Sequence, residues 1–105
     1  MIIPKAIQHY PDEEKFVYFS DDGKFVGTFA IIKDEIWSVK IFKKYRGNGY
    51  CVKMLMEFLQ EFPGKYTLYV AKENIPARKS YEKIGFEYVQ NLEIDFIQMF
   101  EMRIN

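Results

Sequence analysis

Apolar and polar positions along this chain follow two different periods, and the switch between them lays out the elements. Lys15-Phe16-Val17-Tyr18-Phe19-Ser20 and Phe25-Val26-Gly27-Thr28-Phe29-Ala30-Ile31-Ile32 are rich in β-branched and aromatic residues, as strands are. Asp21-Asp22-Gly23-Lys24 separates them as a hairpin turn. Lys33-Asp34-Glu35 is a second polar turn, leading into Ile36-Trp37-Ser38-Val39-Lys40-Ile41-Phe42. Three consecutive strands with short turns predict an antiparallel meander. The period then lengthens. Val52, Leu55, Leu59 and Phe62 line one helical face, joined by Cys51 and Phe58, while Lys53, Glu57, Gln60 and Glu61 fall mainly elsewhere. Pro63-Gly64 ends that helix.

Tyr66-Thr67-Leu68-Tyr69-Val70-Ala71 is a fourth strand. Linked to the third through a helix, it should lie parallel to it. A short helix follows over Pro76–Ile84: Pro76 suits its first turn, Ala77, Ser80, Tyr81 and Ile84 recur at helical spacing, and Gly85 stops it. Phe86 onward returns to strand character, and Ile94 to Ile104 makes another strand. The predicted fold class is mixed α/β (α+β). It is a mostly antiparallel sheet of six to seven strands with two main helices on its faces, in the order β-β-β-α-β-α-β-β. A further strand near Met1–Gln8 would precede it.

Composition bounds what this fold can do. The 105 residues suit one domain with one modest core. Aromatic residues make up 18% of the chain, so large rings must supply much of the burial. Fifteen basic and fifteen acidic residues cancel, which argues against a general nucleic-acid binder. A single cysteine excludes an internal disulfide framework and fits a reducing compartment. Met1-Ile2-Ile3-Pro4-Lys5 has no apolar signal core, and stretches such as Phe25–Ile32 are too short to span a bilayer. The expected location is cytoplasmic, away from membranes. His9 has no cysteine or second histidine at ligand spacing, so no metal site is expected.

Charge is nevertheless uneven. From Ile36 to Met56 there are five cations, Lys40, Lys43, Lys44, Arg46 and Lys53, and no acid. In their midst lies Tyr45-Arg46-Gly47-Asn48-Gly49-Tyr50-Cys51, between the third strand and the first helix. Glycines there let the backbone turn sharply and approach a ligand closely. Unpaired amides at the start of the helix, with its dipole behind them, suit a phosphate. The strand–glycine–helix unit reads as an anion-binding site.

Two motifs then bring a family into view. Arg46-Gly47-Asn48-Gly49-Tyr50-Cys51 resembles the acyl-CoA pyrophosphate loop of the GNAT N-acetyltransferases, Arg/Gln-x-x-Gly-x-Gly/Ala. Asn74-Ile75-Pro76-Ala77-Arg78-Lys79-Ser80-Tyr81-Glu82-Lys83-Ile84-Gly85-Phe86 resembles the family's Asn-x-x-Ala-x-x-x-Tyr-x-x-x-Gly-Phe. Both occur in order and at the family's separation. The resemblance covers roughly Lys15 to Phe86.

That resemblance implies a sheet whose third meander strand and following parallel strand splay apart, so that the pantetheine arm of acetyl-CoA inserts like a missing strand. Backbone groups of Val39 and Ile41 would bind the arm, and an amide there would polarise the thioester carbonyl. The amides of Arg46, Gly47, Asn48, Gly49, Tyr50 and Cys51 would hold the pyrophosphate, with Lys40, Lys43 or Lys44 meeting CoA phosphates. Asn74 would fix the pantetheine end. Tyr81 would give a proton to the departing thiolate, and transfer to an amine would be direct, with no metal.

Two features depart from the family pattern. Cys51 stands where Gly or Ala is usual. It reads either as a thiol activated by the helix start and nearby cations or as a small residue packed under the loop. Only about fifteen residues precede the Lys15 strand, too few for the two helices that help form many relatives' acceptor pockets. Glu35, eleven residues before Arg46, matches the catalytic glutamate of the histone-type relatives and equally reads as a solvated turn residue. Tyr69 stands where other relatives carry a glutamate. The expected function is acyl-CoA-dependent N-acyl transfer to an amine-bearing small molecule or peptide. A non-catalytic acyl-CoA-binding module and a small α/β interaction domain are the rival readings. Phe16, Tyr18, Phe19, Phe25, Phe29, Ile31 and Trp37 would point to both sides of a thinly covered sheet, which predicts a homodimer.

Overall fold

A computed structural model of the chain describes residues 1–5 and 13–105. The meander comprises β2 (Glu13–Phe19), β3 (Phe25–Ile32) and β4 (Glu35–Ile41), preceded by β1 (Ile2–Lys5). The expected N-terminal strand is therefore present to Lys5, while its continuation to Gln8, together with His9 and Pro11, lies outside the described residues. A single 3₁₀ turn at Lys43–Tyr45 leads to α1 (Tyr50–Glu61), β5 (Tyr66–Ala71), α2 (Ile75–Ile84), β6 (Glu87–Ile94) and β7 (Ile97–Ile104). Helix α1 begins two residues earlier than the periodicity suggested because Gly49 caps it in a left-handed conformation, φ 77°. Ile94 closes β6 rather than opening the last strand. The two-residue turn Asp95-Phe96 that follows has both residues at positive φ, as a type I′ hairpin requires.

The seven strands form one sheet in the order β1-β2-β3-β4-β5-β7-β6. Every neighbouring pair is antiparallel except β4–β5. Helices α1 and α2 pack on one another, and their buried residues join a single core cluster, so both cover the same face. Phe16 stacks on Phe29 at 5.1 Å, and Phe58 of α1 meets both rings edge-on at 5.3 and 5.1 Å. Such offset and edge contacts suit ring quadrupoles and add to the burial of the rings.

This placement corrects one expectation. The helices do not lie on both faces of the sheet. The meander's large apolar residues do divide as expected: Phe16, Tyr18, Phe29 and Ile31 join the core under the helices, while Phe19 and Trp37 are half-buried and Phe25 is exposed outside it. Alternation explains the result, since direct cross-strand partners such as Phe16 and Phe29 share a face. Further exposed apolar side chains include Tyr88, Val89, Phe96 and Ile97 on the β6–β7 hairpin and Met1 and Ile3 at the other edge of the sheet.

Between β4 and β5 the sheet opens. Only Glu35–Thr67 and Ile36–Leu68 pair before the strands separate. The cause lies in β4, where Trp37 faces Ala30 and Lys40 faces Thr28, so Ser38 and Val39 together oppose the single residue Phe29. Ser38 sits at φ 54°, and this β-bulge bends the strand away from β5. Past the bulge, Gly27, which pairs with Ile41, permits close approach of β3 and β4: a Cβ there would lie 2.5 Å from the Lys40 carbonyl oxygen.

Candidate functional site

Beyond the bulge, β4, the glycine loop and the starts of both helices enclose a cleft of about 510 Å³. Val39, Lys40, Ile41, Arg46, Gly47, Gly49, Tyr50, Cys51, Asn74 and Tyr81 all line it. Of the residues expected to touch a cofactor, Lys43, Lys44 and Asn48 do not line it; Asn48 sits within the loop. Its side-chain amide instead donates to the Tyr45 and Arg46 carbonyls, both at 3.1 Å, and so staples the loop.

The loop's conformation follows from its glycines. Gly47 and Gly49 stand at φ 79° and 77°, where a β-carbon is strained even though space is open around both. No acceptor among the described residues meets the amides from Gly47 to Val52. Arg46 donates from Nε to the Ile41 carbonyl at 2.9 Å, tying the loop back to the end of β4. Lys40, Lys43, Lys44, Arg46 and Lys53 are all exposed, and none forms an ion pair among the described residues. Free amides and free cations on one rim make an anion site of the kind expected at a helix N-terminus.

Asn74 has two contacts with this architecture. Its Oδ1 caps α2 by accepting from the Ala77 amide at 3.3 Å, and the residue also lines the cleft. Tyr81 is buried, and its hydroxyl makes no hydrogen bond among the described residues. Burial first, and then the neighbouring Cys51, push its pKa upward, so it holds its proton. Burial likewise pushes the Cys51 thiol up to about 11. The Cys51 side chain packs against the core, which favours its reading as a small residue under the loop over that of an activated thiol.

A second cavity, of about 240 Å³, adjoins the first through the gap in the sheet. Val39, Asn74 and Tyr81 line both, and Trp37 and Tyr69 flank the second. Glu35 lines neither. Its Oε1 accepts from the Trp37 indole N–H at 2.9 Å and its Oε2 from the Tyr69 hydroxyl at 3.0 Å. Burial, and then this bond to Glu35, push the Tyr69 pKa up to about 12.

Sequence reasoning missed Tyr45, Pro76, Ala77 and Ser80 as lining residues, and it missed the bulge at Ser38. The bulge did leave a signal. Ile36, Val39 and Ile41 all pack toward the helix side, an odd step followed by an even one, where an unbroken strand keeps a period of two.

These features define a class: an α/β protein whose sheet opens at its one parallel pair, beside a helix start with free amides. The profile described as the acetyltransferase (GNAT) family matches residues 2–86, and the chain belongs to that family. Its fold is similar to that of a spermidine N-acetyltransferase from Vibrio cholerae solved in complex with CoA and spermine. The TM-score is 0.77 at 22% identity, over 91% of this chain and 67% of that one. A chimera of that enzyme with hSSAT gives a TM-score of 0.77 at 24% identity, over 91% of this chain and 68% of the other. No curated protein sequence matches the chain.

Proposed function

We propose that this chain is an acyl-CoA-dependent N-acyltransferase that passes an acetyl group directly to an amine. The observation that carries the reading is the opening of the sheet. Pairing between β4 and β5 stops after Ile36–Leu68, and Tyr81 lines the gap so formed from both sides. The free edge at Val39–Ile41 offers backbone groups that an extended pantetheine amide can pair with, as an added strand does. The amides from Gly47 to Val52 and the surrounding cations suit the pyrophosphate and the further phosphate of CoA. The cleft volume lies within the range of small-molecule sites.

In the reaction, the amine nitrogen adds to the thioester carbonyl carbon, the carbon–sulfur bond breaks, and the amine's surplus proton leaves to water. Tyr81 then protonates the departing thiolate to give the CoA thiol, and regains a proton from water, which closes the balance. Burial keeps the Tyr81 hydroxyl protonated, so it stands in its donor form when the thiolate departs. The same residue favours catalysis over passive CoA binding, since Tyr81, whose hydroxyl has no hydrogen-bond partner among the described residues, lines both cavities where they meet.

CoA release from acetyl-CoA, measured across a panel of amines, tests the reading. Release that depends on an amine and falls in Tyr81→Phe supports it. Binding of acetyl-CoA without release for any amine would favour the non-catalytic module.

A further inference from the structure

We propose that Glu35, Trp37 and Tyr69 form the acceptor-side wall of the sheet opening, and that this wall selects acceptors carrying a second, non-reacting alkylammonium group. The proposal rests on the acyltransferase reading above. Its first support is position. The second cavity shares Val39, Asn74 and Tyr81 with the cofactor cleft, and Trp37 and Tyr69 stand on its other side. Their rings lie against each other at 5.1 Å and an interplanar angle of 34°. Both side chains are half-buried, so part of each ring faces the opening.

The second support is charge. The two oxygens of Glu35 are each satisfied by a neutral donor, the Trp37 indole and the Tyr69 phenol. No lysine or arginine among the described residues lies within ion-pair distance of it. Glu101, directly across from Tyr69 on β7, is by contrast compensated. Arg103 Nη2 stands 2.9 Å from its Oε2, and the Gln90 amide donates to Oε1 at 3.1 Å. Among the described residues, the wall therefore keeps one carboxylate with no cation in ion-pair contact, beside two aromatic rings. That combination attracts an alkylammonium, because the ring faces and the carboxylate pull in the same sense while the rings also cover methylenes.

The third support is separation along the strand. Glu35 stands four residues before Val39, which at strand spacing is on the order of 10 Å once the bulge is allowed for. A base must come within about 3 Å of the proton that it takes. Glu35 is thus too distant to deprotonate an amine attacking beside Val39 and Tyr81. It stands where a second ammonium, several methylenes from the reacting nitrogen, would reach. Glu35 is then a recognition and positioning residue that sets both rings and supplies the charge.

Trp37 is the one tryptophan of the chain, so its emission reports the wall directly. Diaminobutane and butylamine are titrated into the wild type, Glu35→Gln and Tyr69→Phe, each with saturating CoA and without it. The wild type should show a saturable emission change, with the diamine bound about tenfold more tightly than the monoamine. Glu35→Gln should erase most of that preference, and Tyr69→Phe, which keeps the ring, should retain most of it. In turnover, Glu35→Gln should raise KM for the diamine and leave kcat and its pH profile in place, whereas loss of a base would lower kcat. Equal binding of the two amines, or a preference that survives Glu35→Gln, overturns the proposal. The CoA arm is separate: if CoA fails to stabilise the wild type, the acyltransferase reading falls, while the titrations without CoA still decide the wall.

Discussion

The two lips of the sheet opening are built from different materials. The lip formed by the end of β4, the glycine loop and α1 works through the backbone: free amides, two left-handed glycines and a carbonyl held by Arg46, all within a short run of sequence. The opposite lip works through side chains: a carboxylate and an indole from β4 and a phenol from β5, joined across thirty-four positions of chain. A backbone site is sensitive to conformation and indifferent to most side chains. A side-chain site is the reverse. The contrast says where substitutions should hurt and why one lip was readable in advance.

The largest expected effect lies where the lips meet. Tyr81→Phe removes only a hydroxyl, so stabilisation by CoA should persist while turnover falls on the order of 10²-fold or more. Steady-state CoA release alongside a thermal melt checks both halves. Unchanged turnover would assign Tyr81 to packing against Phe86 alone. On the backbone lip, Gly49→Val forces a β-branched residue to φ 77° at a strain of about 1–3 kcal/mol. CoA affinity should then drop on the order of tenfold to a hundredfold, by calorimetry, although no side chain has been lost from the site.

Gly27→Ala sharpens the contrast from a distance. The added methyl would meet the Lys40 carbonyl oxygen at 2.5 Å and the Ile41 side chain at 2.8 Å, displacing the free edge of β4. A loss of about 1–3 kcal/mol is expected in denaturant unfolding, with weaker CoA binding beside it. An alanine accommodated without either change would mean that the bulge does not hold the edge in place.

Much of the fold was legible because local chemistry carried it. The Asp21–Lys24 turn, the switch of period at the glycine loop and the Pro76-to-Gly85 helix each announced an element. The cofactor lip was legible for the same reason, being contiguous in sequence. The acceptor lip was not: Glu35 beside Asp34 looks like any polar turn, and nothing local says that its oxygens meet Trp37 and a tyrosine from another strand. Helix placement failed for a related reason. Aromatic residues at both parities suggested a helix on each face, whereas both helices cover the face that holds Phe16, Tyr18 and Phe29, and Phe19, Phe25 and Trp37 stay outside that core.

Cys51 tests the burial argument through pH. Its folded pKa, about 11, lies above the unfolded value near 9.0, so the native state holds the proton more tightly. Its contribution to stability is complete below about pH 9 and is lost progressively as pH rises toward 11. Two units correspond to roughly 3 kcal/mol. Cys51→Ala should flatten that part of the stability–pH curve. An unaltered slope would mean that the thiol is not desolvated in the native state.

The smallest expected effect is at the hairpin end, far from both lips. Phe96 is 95% exposed at φ 65°, a conformation that glycine takes without strain. Phe96→Gly should stabilise the fold by about 0.5 kcal/mol in urea unfolding and leave CoA binding untouched.

The central claim, that the backbone lip is an acyl-CoA site, is met most directly by thermal unfolding of the wild type with and without acetyl-CoA. Ligand at a hundredfold excess over its Kd should add about 2.7 kcal/mol, a rise in Tm on the order of 10 °C for a chain of this size. Gly49→Val should show little of that rise at the same concentration. Superimposable curves for the wild type with saturating acetyl-CoA, with CoA and with neither would contradict the account.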